Sequence, residues 1–569
     1  MVRSCRLPEE VPMGPECPDR WGQMPVPGHR TVADAMTARP DPPMWGRLLQ
    51  LSSEGRKGRA RNPGDGLLRG TGHARSRASG ANLESKPSTL QGQIREALTR
   101  AILDGRLPPG ATLPSTRALS LELRVARNTV SIVYERLVGE GYLVPRNRGG
   151  HFVNPEIVAG RAALPPADGS STALQAAWDG RFKTAVAKQR NIAKPRDWQR
   201  YPFPFLYGQI DPALLPIPGW RECSIQALSG AEARGWAGDL IDGDDPLLIE
   251  QIQTRLLARR GVFASANEIL VTVGAQHALF LLATLLVGPA TTVGIEDPGY
   301  PDARNILAAR TPSVVALPLD ASGLALSPGL DACEYVVLTP SHQCPTNVTM
   351  PLERREALLA WAQARDRVLI EDDYEAEIGL EGRALPALKS LDRSGRVVYV
   401  GSLSKTLAPG IRMGYIVAHR DLIREARAMR RLMLRHPAAN NQRSTGLFLA
   451  MGYHDAHLRR LRLACAERGA AVAAALSRHL PDVTVSTAAG ASSCWLRFAD
   501  DVDVRELAAA AERAGTLIEP GDVFFAGDRP PRHYARLGFA SIATGRIDPG
   551  IAALASALGE CRSSRPHAR

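Results

Sequence analysis

The spacing of apolar residues changes character at Leu90. From there Leu90, Ile94, Leu98 and Ile102 recur every fourth residue, which keeps one face of an α-helix apolar. Gly105 ends that helix, and Pro108-Pro109-Gly110 makes a turn. Ser115 is placed to cap a second short helix with Leu119 and Leu123 on its inner face. After a turn at Arg124-Val125, the residues Val130, Val133, Tyr134 and Leu137 fall at i, i+3, i+4 and i+7, a third helix that Gly141 stops. Two short strands follow, Tyr142–Pro145 and His151–Val153, joined by Asn147-Arg148-Gly149-Gly150. Three helices and a hairpin predict a small winged helix-turn-helix domain over 87–154.

The flanks read differently. Residues 1–86 are rich in Pro, Gly, Arg and Ser, show no sustained period, and read as a disordered basic extension. Residues 155–200 read as a linker with a weak Ala-rich helix around 173–188. From 201 to 558 helical and strand patterns alternate, with buried strands expected at Ile269–Val273, Thr292–Glu296, Tyr335–Leu338, Val368–Glu371 and Val397–Val400. That alternation predicts an α/β domain, a mostly parallel sheet with helices on both faces. Residues 559–569 are left as a C-terminal tail.

Composition narrows the setting. No apolar run among the 569 residues reaches the ~18–20 needed to span a membrane, and the first residues carry no continuous apolar stretch of a secretion signal. The eight cysteines are scattered and no pair takes C-x-x-C spacing, so neither a metal site nor a disulfide scaffold is expected. A cytoplasmic location follows as the expectation. The net charge of +12 is uneven, because residues 1–153 hold 23 Lys and Arg against 14 Asp and Glu. A basic front end on a near-neutral body points to a polyanion partner.

The third helix opens Ala126-Arg127-Asn128-Thr129, polar groups suited to the major groove. Arg127 is long enough to reach guanine edges, and Asn128 suits adenine or a phosphate. Thr129 and Tyr134 are candidates for backbone phosphates, as is Arg117 on the preceding helix. Arg146, Arg148 and His151 lie on or beside the wing. One arginine alone would be an ordinary solvated side chain; the set points to double-stranded DNA. The runs Gly105-Arg-Leu-Pro-Pro-Gly-Ala-Thr-Leu-Pro-Ser-Thr-Arg117, Val125-Ala-Arg-Asn-Thr-Val130 and Tyr134-Glu-Arg-Leu-Val-Gly-Glu-Gly-Tyr-Leu143 closely resemble the winged helix of the GntR family. Arg124 stands where that family usually has glycine, and Arg148-Gly149-Gly150-His151 is a variant wing.

Three segments of the larger domain point to one chemistry. In Ser402-Leu-Ser-Lys405-Thr, a lysine flanked by hydroxyl residues after a buried strand suits a Schiff base to an aldehyde cofactor. Ser402 and Arg412 suit a phosphate. Glu371-Asp372-Asp373-Tyr374 ends a buried strand, where carboxylates face the ligand crevice of an α/β sheet. One of them would keep a pyridine nitrogen protonated, and Tyr374 would hydrogen-bond a phenolic oxygen. In Val273-Gly274-Ala275-Gln276, a glycine opening a helix exposes backbone N–H groups to an anion.

Together these segments resemble fold-type I, pyridoxal 5'-phosphate-dependent aminotransferases over about 200–558. By that resemblance Lys405 forms the internal aldimine, and Asp372 pairs with the pyridinium. Gly274, Ala275, Gln276, Ser402 and Arg412 hold the phosphate, and Tyr300 lies beside the ring. Arg536 aligns with the arginine that grips the substrate carboxylate. One departure is Cys344-Pro-Thr-Asn347 in place of Asn-Pro-Thr-Gly; asparagine tolerates a left-handed backbone, so the turn can survive.

A winged helix of the GntR type fused to an aminotransferase-like domain resembles the MocR/GabR transcription regulators. That resemblance implies a homodimer on an operator, with an amine or amino-acid effector sensed through an external aldimine. Arg536 implies an acid group on that effector, as in amino acids, GABA-like compounds, ectoine breakdown products or sulfonates. Three alternatives stay open: a working aminotransferase that binds DNA, a sensor of pyridoxal phosphate itself, and a scaffold that no longer binds cofactor. A redox role for Cys344 is a fourth.

Overall fold

The computed structural model of the chain describes residues 89–146, 150–157, 178, 180–182, 184–375, 377, 385–488 and 490–563. It falls into two units, one ending at residue 175 and one starting at 176.

The first unit is built as its apolar periods dictate. Helices span Leu90–Leu103, Thr116–Leu123 and Arg127–Gly139, and an antiparallel hairpin pairs Leu143–Arg146 with Gly150–Val153, Leu143 opposite Val153. Ile94, Leu98, Ile102, Leu119, Val130, Val133 and Leu137 are fully buried in one cluster. Leu90 is not part of it: as the first helical residue it remains 43% exposed. The Ser115 hydroxyl accepts from the Ala118 N–H at 3.1 Å, the N-cap read from the sequence.

Arg124 ends the second helix in the left-handed region, φ 53° and ψ 46°. An L-residue there costs about 1–2 kcal/mol, against about 0.5–1 kcal/mol of extra chain entropy that a glycine would lose on folding. Arg124→Gly is therefore expected to stabilise this unit by about 0.5–1 kcal/mol, read as slower amide exchange across 90–153. Unchanged or faster exchange would contradict it.

The second unit contains an eight-stranded sheet. From one edge its strands are Ile269–Thr272, Gly414–Val417, Val397–Ser402, Val368–Asp373, Tyr335–Leu338, Val293–Asp297, Val314–Asp320 and Gly323–Leu324. All five strands expected from the sequence are present, and the pairings among Val397–Ser402, Val368–Asp373, Tyr335–Leu338, Val293–Asp297 and Val314–Asp320 are parallel. Gly414–Val417 inserts antiparallel between two of the expected strands. Apolar clusters cover both faces, as a parallel sheet requires.

A second, antiparallel sheet carries Thr484–Ser486, Ser493–Arg497, Tyr534–Gly538 and Glu519–Pro520 in that spatial order. Its apolar face packs with residues of helices Tyr453–His479, Val504–Arg513 and Ile547–Ser563. Glu519 lies directly opposite Arg536 in register, which decides how the two side chains meet.

Of the stretch read as a linker, residues 158–177 lie outside the described residues. The weak helix expected around 173–188 is not seen in the described part, which has only a short 3₁₀ turn at Val186–Lys188. Residues 189–194 are firmly attached to the second unit. Gln189 Nε2 donates to the Asn305 carbonyl at 3.2 Å, and Asn305 Nδ2 returns a bond to the Arg190 carbonyl at 2.9 Å.

Candidate functional site

One cavity of the second unit forms where the parallel strands end, the place an open α/β sheet offers a ligand. It measures about 280 Å³ and is lined by Lys405, Asp372, Tyr374, Tyr300, Ala275, Gln276, Ser402, Arg412 and Arg536, all singled out from the sequence. Asn191, Ile192, Lys194, Tyr207, Asp302, Cys344, Ser404 and Pro409 complete the lining.

One end is an anion cradle. Gly274 has φ 80° and caps the helix Ala275–Leu286; a Cβ there would lie 2.7 Å from an Arg412 guanidinium nitrogen. Only glycine lets the arginine close over the helix start, where backbone N–H groups have no intrahelical partner. Arg412, itself left-handed at φ 51°, is anchored by Nη2 donating to the Val273 carbonyl at 3.3 Å. Ser402 Oγ accepts from the Ser404 N–H at 3.2 Å, and the buried Ser404 hydroxyl has no partner. In the sequence Ser404 counted only as one of the hydroxyl residues flanking Lys405.

The middle holds a buried carboxylate without a partner. Asp372 is 5% exposed, and its Oδ1 makes no hydrogen bond. Burial, with the Asp373 charge behind it, pushes the Asp372 carboxyl up to about 7. A protonated ring nitrogen would supply what this oxygen lacks. Tyr300 donates its hydroxyl to Asp302 Oδ2 at 3.0 Å, and Tyr374 meets Tyr207 and His342 edge-on. The cradle, the orphaned carboxylate and the lysine fit pyridoxal phosphate.

Lys405 stands three residues beyond the strand Val397–Ser402, with its Nζ 4.5 Å above the Tyr207 ring. Burial, then the neighbouring charges of Lys194 and Arg536, pull its ammonium down to about 8. About a tenth is therefore free amine at pH 7, the form that attacks an aldehyde, far more than for an ordinary lysine. The rate at which cofactor-free protein captures pyridoxal phosphate should rise with pH and level off above about 8, in rapid-mixing absorbance. A rate flat between pH 6 and 9 would contradict this.

The far end is acidic and basic together. Arg536 Nε bonds Glu519 Oε2 at 2.7 Å, and both are buried. Lys194 Nζ lies 2.9 Å from Glu519 Oε1. Neither Glu519 nor Lys194 was legible as a site residue, one falling on a two-residue strand and the other in the apparent linker. Cys344 is 4% exposed, and burial pushes its thiol up to about 12. A protonated, enclosed thiol is a poor nucleophile, which counts against a redox role. Asn347 adopts φ 63°, so the altered turn keeps a left-handed corner, held by Asn347 Nδ2 donating to the Ser493 carbonyl at 2.9 Å.

In the first unit Arg117, Arg127 and Asn128 are exposed, and Thr129 is half-buried. The Arg127 Nε reaches Thr116 Oγ1 at 3.4 Å, linking the two helices of the motif. Arg146 is exposed with its guanidinium 4.6 Å over the Phe152 ring, and His151 meets Tyr134 edge-on. Tyr134 corrects the sequence reading: it is 1% exposed and donates its hydroxyl to the Pro114 carbonyl at 3.0 Å. It sits at the i+4 core position of its helix, and burial with a satisfied hydroxyl makes it a packing residue instead of a phosphate contact. Arg148 and the basic extension lie outside the described residues. Among the described residues no helix is long and apolar enough to cross a membrane.

Comparison with known proteins agrees with both halves. Residues 90–153 match the bacterial regulatory proteins of the gntR family, and 215–554 match the class I and II aminotransferases. The HTH-type transcriptional regulator TauR of Rhodobacter capsulatus is 42% identical, over 83% of this chain and 96% of that protein. The probable rhizopine catabolism regulatory protein MocR of Rhizobium meliloti is 32% identical, over 83% and 94%. Among solved structures, the alpha-aminoadipate aminotransferase of Thermus thermophilus, complexed with N-(5'-phosphopyridoxyl)-L-leucine, aligns with a TM-score of 0.63 at 25% identity. That alignment covers 68% of this chain and all of the other.

Proposed function

Because the chain belongs to the MocR-type transcription regulators, in which a GntR winged helix precedes an aminotransferase domain, we propose that its larger unit is the effector sensor. In this reading the cavity holds pyridoxal phosphate and receives an amine or amino acid. The observation that carries it is the alignment, in one cavity, of the anion cradle, the partnerless Asp372 and the Lys405 amine. When bound, the cofactor supplies an aldehyde that condenses with amines. Lys405 provides the resident amine, Asp372 holds a proton at the ring nitrogen, and Gly274, Ala275, Gln276, Ser402 and Arg412 bind the phosphate. Tyr300 lies beside the ring, Tyr374 offers its hydroxyl to the phenolic oxygen, and Arg536 faces the effector's acid group.

An effector changes DNA binding only if it favours one conformer over another. Exchange of Lys405 for a free amine gives that difference, because it releases a side chain at the centre of the unit. The operator is double-stranded DNA, read by Arg127 and Asn128 with support from Arg117, Thr129, Arg146, Arg148 and His151. A homodimer in the cytoplasm completes the reading. The subunit contact is supported by Ile217, Ile225 and Leu228, which are 58–66% exposed in and just beyond one helix of the second unit.

The test is the absorption spectrum of cofactor-loaded protein during titration with a panel of amines and amino acids. A sensor responds to one of them and halts with the compound still attached. Release of keto acid on every cycle would make the unit an enzyme, and response to cofactor alone would make it a sensor of pyridoxal phosphate. On the DNA side, Arg127→Ala should cost about 1–3 kcal/mol of specific affinity and relax one base position. Unchanged specific binding would move readout to the wing.

A further inference from the structure

We propose that Lys194 is the second cation of an anion subsite in this cavity, sharing with Arg536 the acid group of the effector and so selecting for amines that carry one. This rests on the reading that the cavity receives an amine.

Four cationic side chains line the cavity: Lys194, Lys405, Arg412 and Arg536. Arg412 belongs to the phosphate cradle and Lys405 to the aldehyde. Lys194 and Arg536 remain, and one carboxylate stands between them. Glu519 gives Oε1 to Lys194 at 2.9 Å and Oε2 to Arg536 at 2.7 Å. Two positive charges against one negative leave the cluster with a net positive charge. Burial works against the Glu519 charge, but Arg536 and then Lys194 outweigh it and lower the carboxyl, so it stays ionised.

Donors remain as well as charge. An ammonium has three N–H groups and a guanidinium five. Lys194 uses one on Glu519 and one on the Tyr207 carbonyl. Arg536 uses Nε on Glu519, and its Nη1 has only the Cys344 sulfur at 3.8 Å. Arg536 and Glu519 are 3% and 1% exposed, whereas Lys194 is 25% exposed, so the lysine is the member an incoming ligand meets from solvent.

The cluster is also close to the aldehyde position. The Tyr207 ring carries Lys405 Nζ at 4.5 Å and the Arg536 guanidinium at 4.2 Å. A Cβ on Gly208 would run into the Lys405 amine and lie 4.0 Å from that of Lys194. A ligand bridging them has its amine and its acid only a few bonds apart. Carboxylate and sulfonate share the charge the subsite recognises.

The experiment uses the cofactor-loaded full chain. Propionate and ethanesulfonate carry an acid without an amine and are titrated by calorimetry. Propylamine carries an amine without an acid; β-alanine and 2-aminoethanesulfonate carry both, and these three are followed by absorbance. Lys194→Gln should weaken the two bifunctional compounds about tenfold or more, abolish binding of the simple acids, and leave propylamine unchanged. Lys194→Arg should restore most of the loss. The larger loss of the two identifies the acid the subsite is built for. Equal loss for propylamine would reduce Lys194 to a structural tether and overturn the proposal, as would no loss at all. The wild-type protein alone is decisive even if the variant does not fold: failure to bind either simple acid, with propylamine bound as well as β-alanine, overturns the subsite and spares the amine reading. Binding of the acids with no spectral response to any amine supports the subsite and breaks the effector reading instead.

Discussion

Lys405→Ala will leave a protein that no longer attaches pyridoxal phosphate covalently yet still binds DNA. Among the groups lining the cavity, Lys405 and Lys194 are the amines, and only Lys405 follows the strand that also delivers Ser402, the proposed phosphate contact. Lys194 is committed to Glu519 and the Tyr207 carbonyl. The loss should therefore be all or none. Borohydride reduction followed by peptide mass spectrometry reads it directly, with cofactor mass on the Lys405 peptide of the wild type and nowhere in the variant. Cofactor found on Lys194 would show that the cavity has been read in the wrong orientation. The phosphate cradle is untouched by the change, so non-covalent cofactor should remain, at lower affinity. DNA binding survives because Arg127 and its neighbours belong to a unit with its own core.

The second large effect is on stability. Arg430 is fully buried, with Nη1 2.5 Å from Asp244 Oδ1, and Arg427 lies 2.9 Å from Asp244 Oδ2. Burial works against the Arg430 charge, and Asp244 offsets it. Asp244→Ala removes the carboxylate these two ion pairs share and leaves a buried cation exposed to its own desolvation cost. Breaking such a pair from one side costs about 3–5 kcal/mol. Urea unfolding of the full chain should show that loss in the transition of the second unit, and a loss below about 1 kcal/mol would contradict it. Replacing Asp244 and Arg430 together by leucines should cost less than Asp244→Ala, because the fully buried charge is removed with its partner and only the partly exposed Arg427 loses its carboxylate. The effect reaches the site: Arg430 Nη1 also bonds the Val271 carbonyl at 2.6 Å, on the strand that ends at the phosphate cradle. Weaker cofactor binding should accompany the lost stability.

What the sequence showed and what it hid follow from the range of the interactions. Elements set by local spacing were legible. The Ser115 cap, the stops at Gly105 and Gly141, and the five buried strands all depend on residues close together in the chain. So was the grouping of residues at one end of the cavity, since two parallel strands deliver Asp372 and Ser402 at their C-terminal ends, with Lys405 just beyond. The ion cluster at the other end was not. Glu519 and Arg536 meet only because two antiparallel strands pair in one register, and Lys194 joins them from a segment more than three hundred residues earlier. Nothing local marks Pro- and Ala-rich chain as the wall of a cavity. Tyr134 failed for the opposite reason: its place in the apolar period was clear, but its hydroxyl suggested a surface role until Pro114 was seen to accept its hydrogen bond.

An acid-bearing amine that binds the second unit should change how the first unit holds its operator. Fluorescence anisotropy of labelled operator DNA is measured with cofactor-loaded full chain, in the absence and presence of each acid-bearing amine, with keto acid assayed in the same tubes. One amine should shift the dissociation constant by about 5–150-fold, without catalytic release of keto acid, and Lys405→Ala should not respond. Operator affinity unchanged by every amine, with keto acid accumulating over many turnovers, would contradict it.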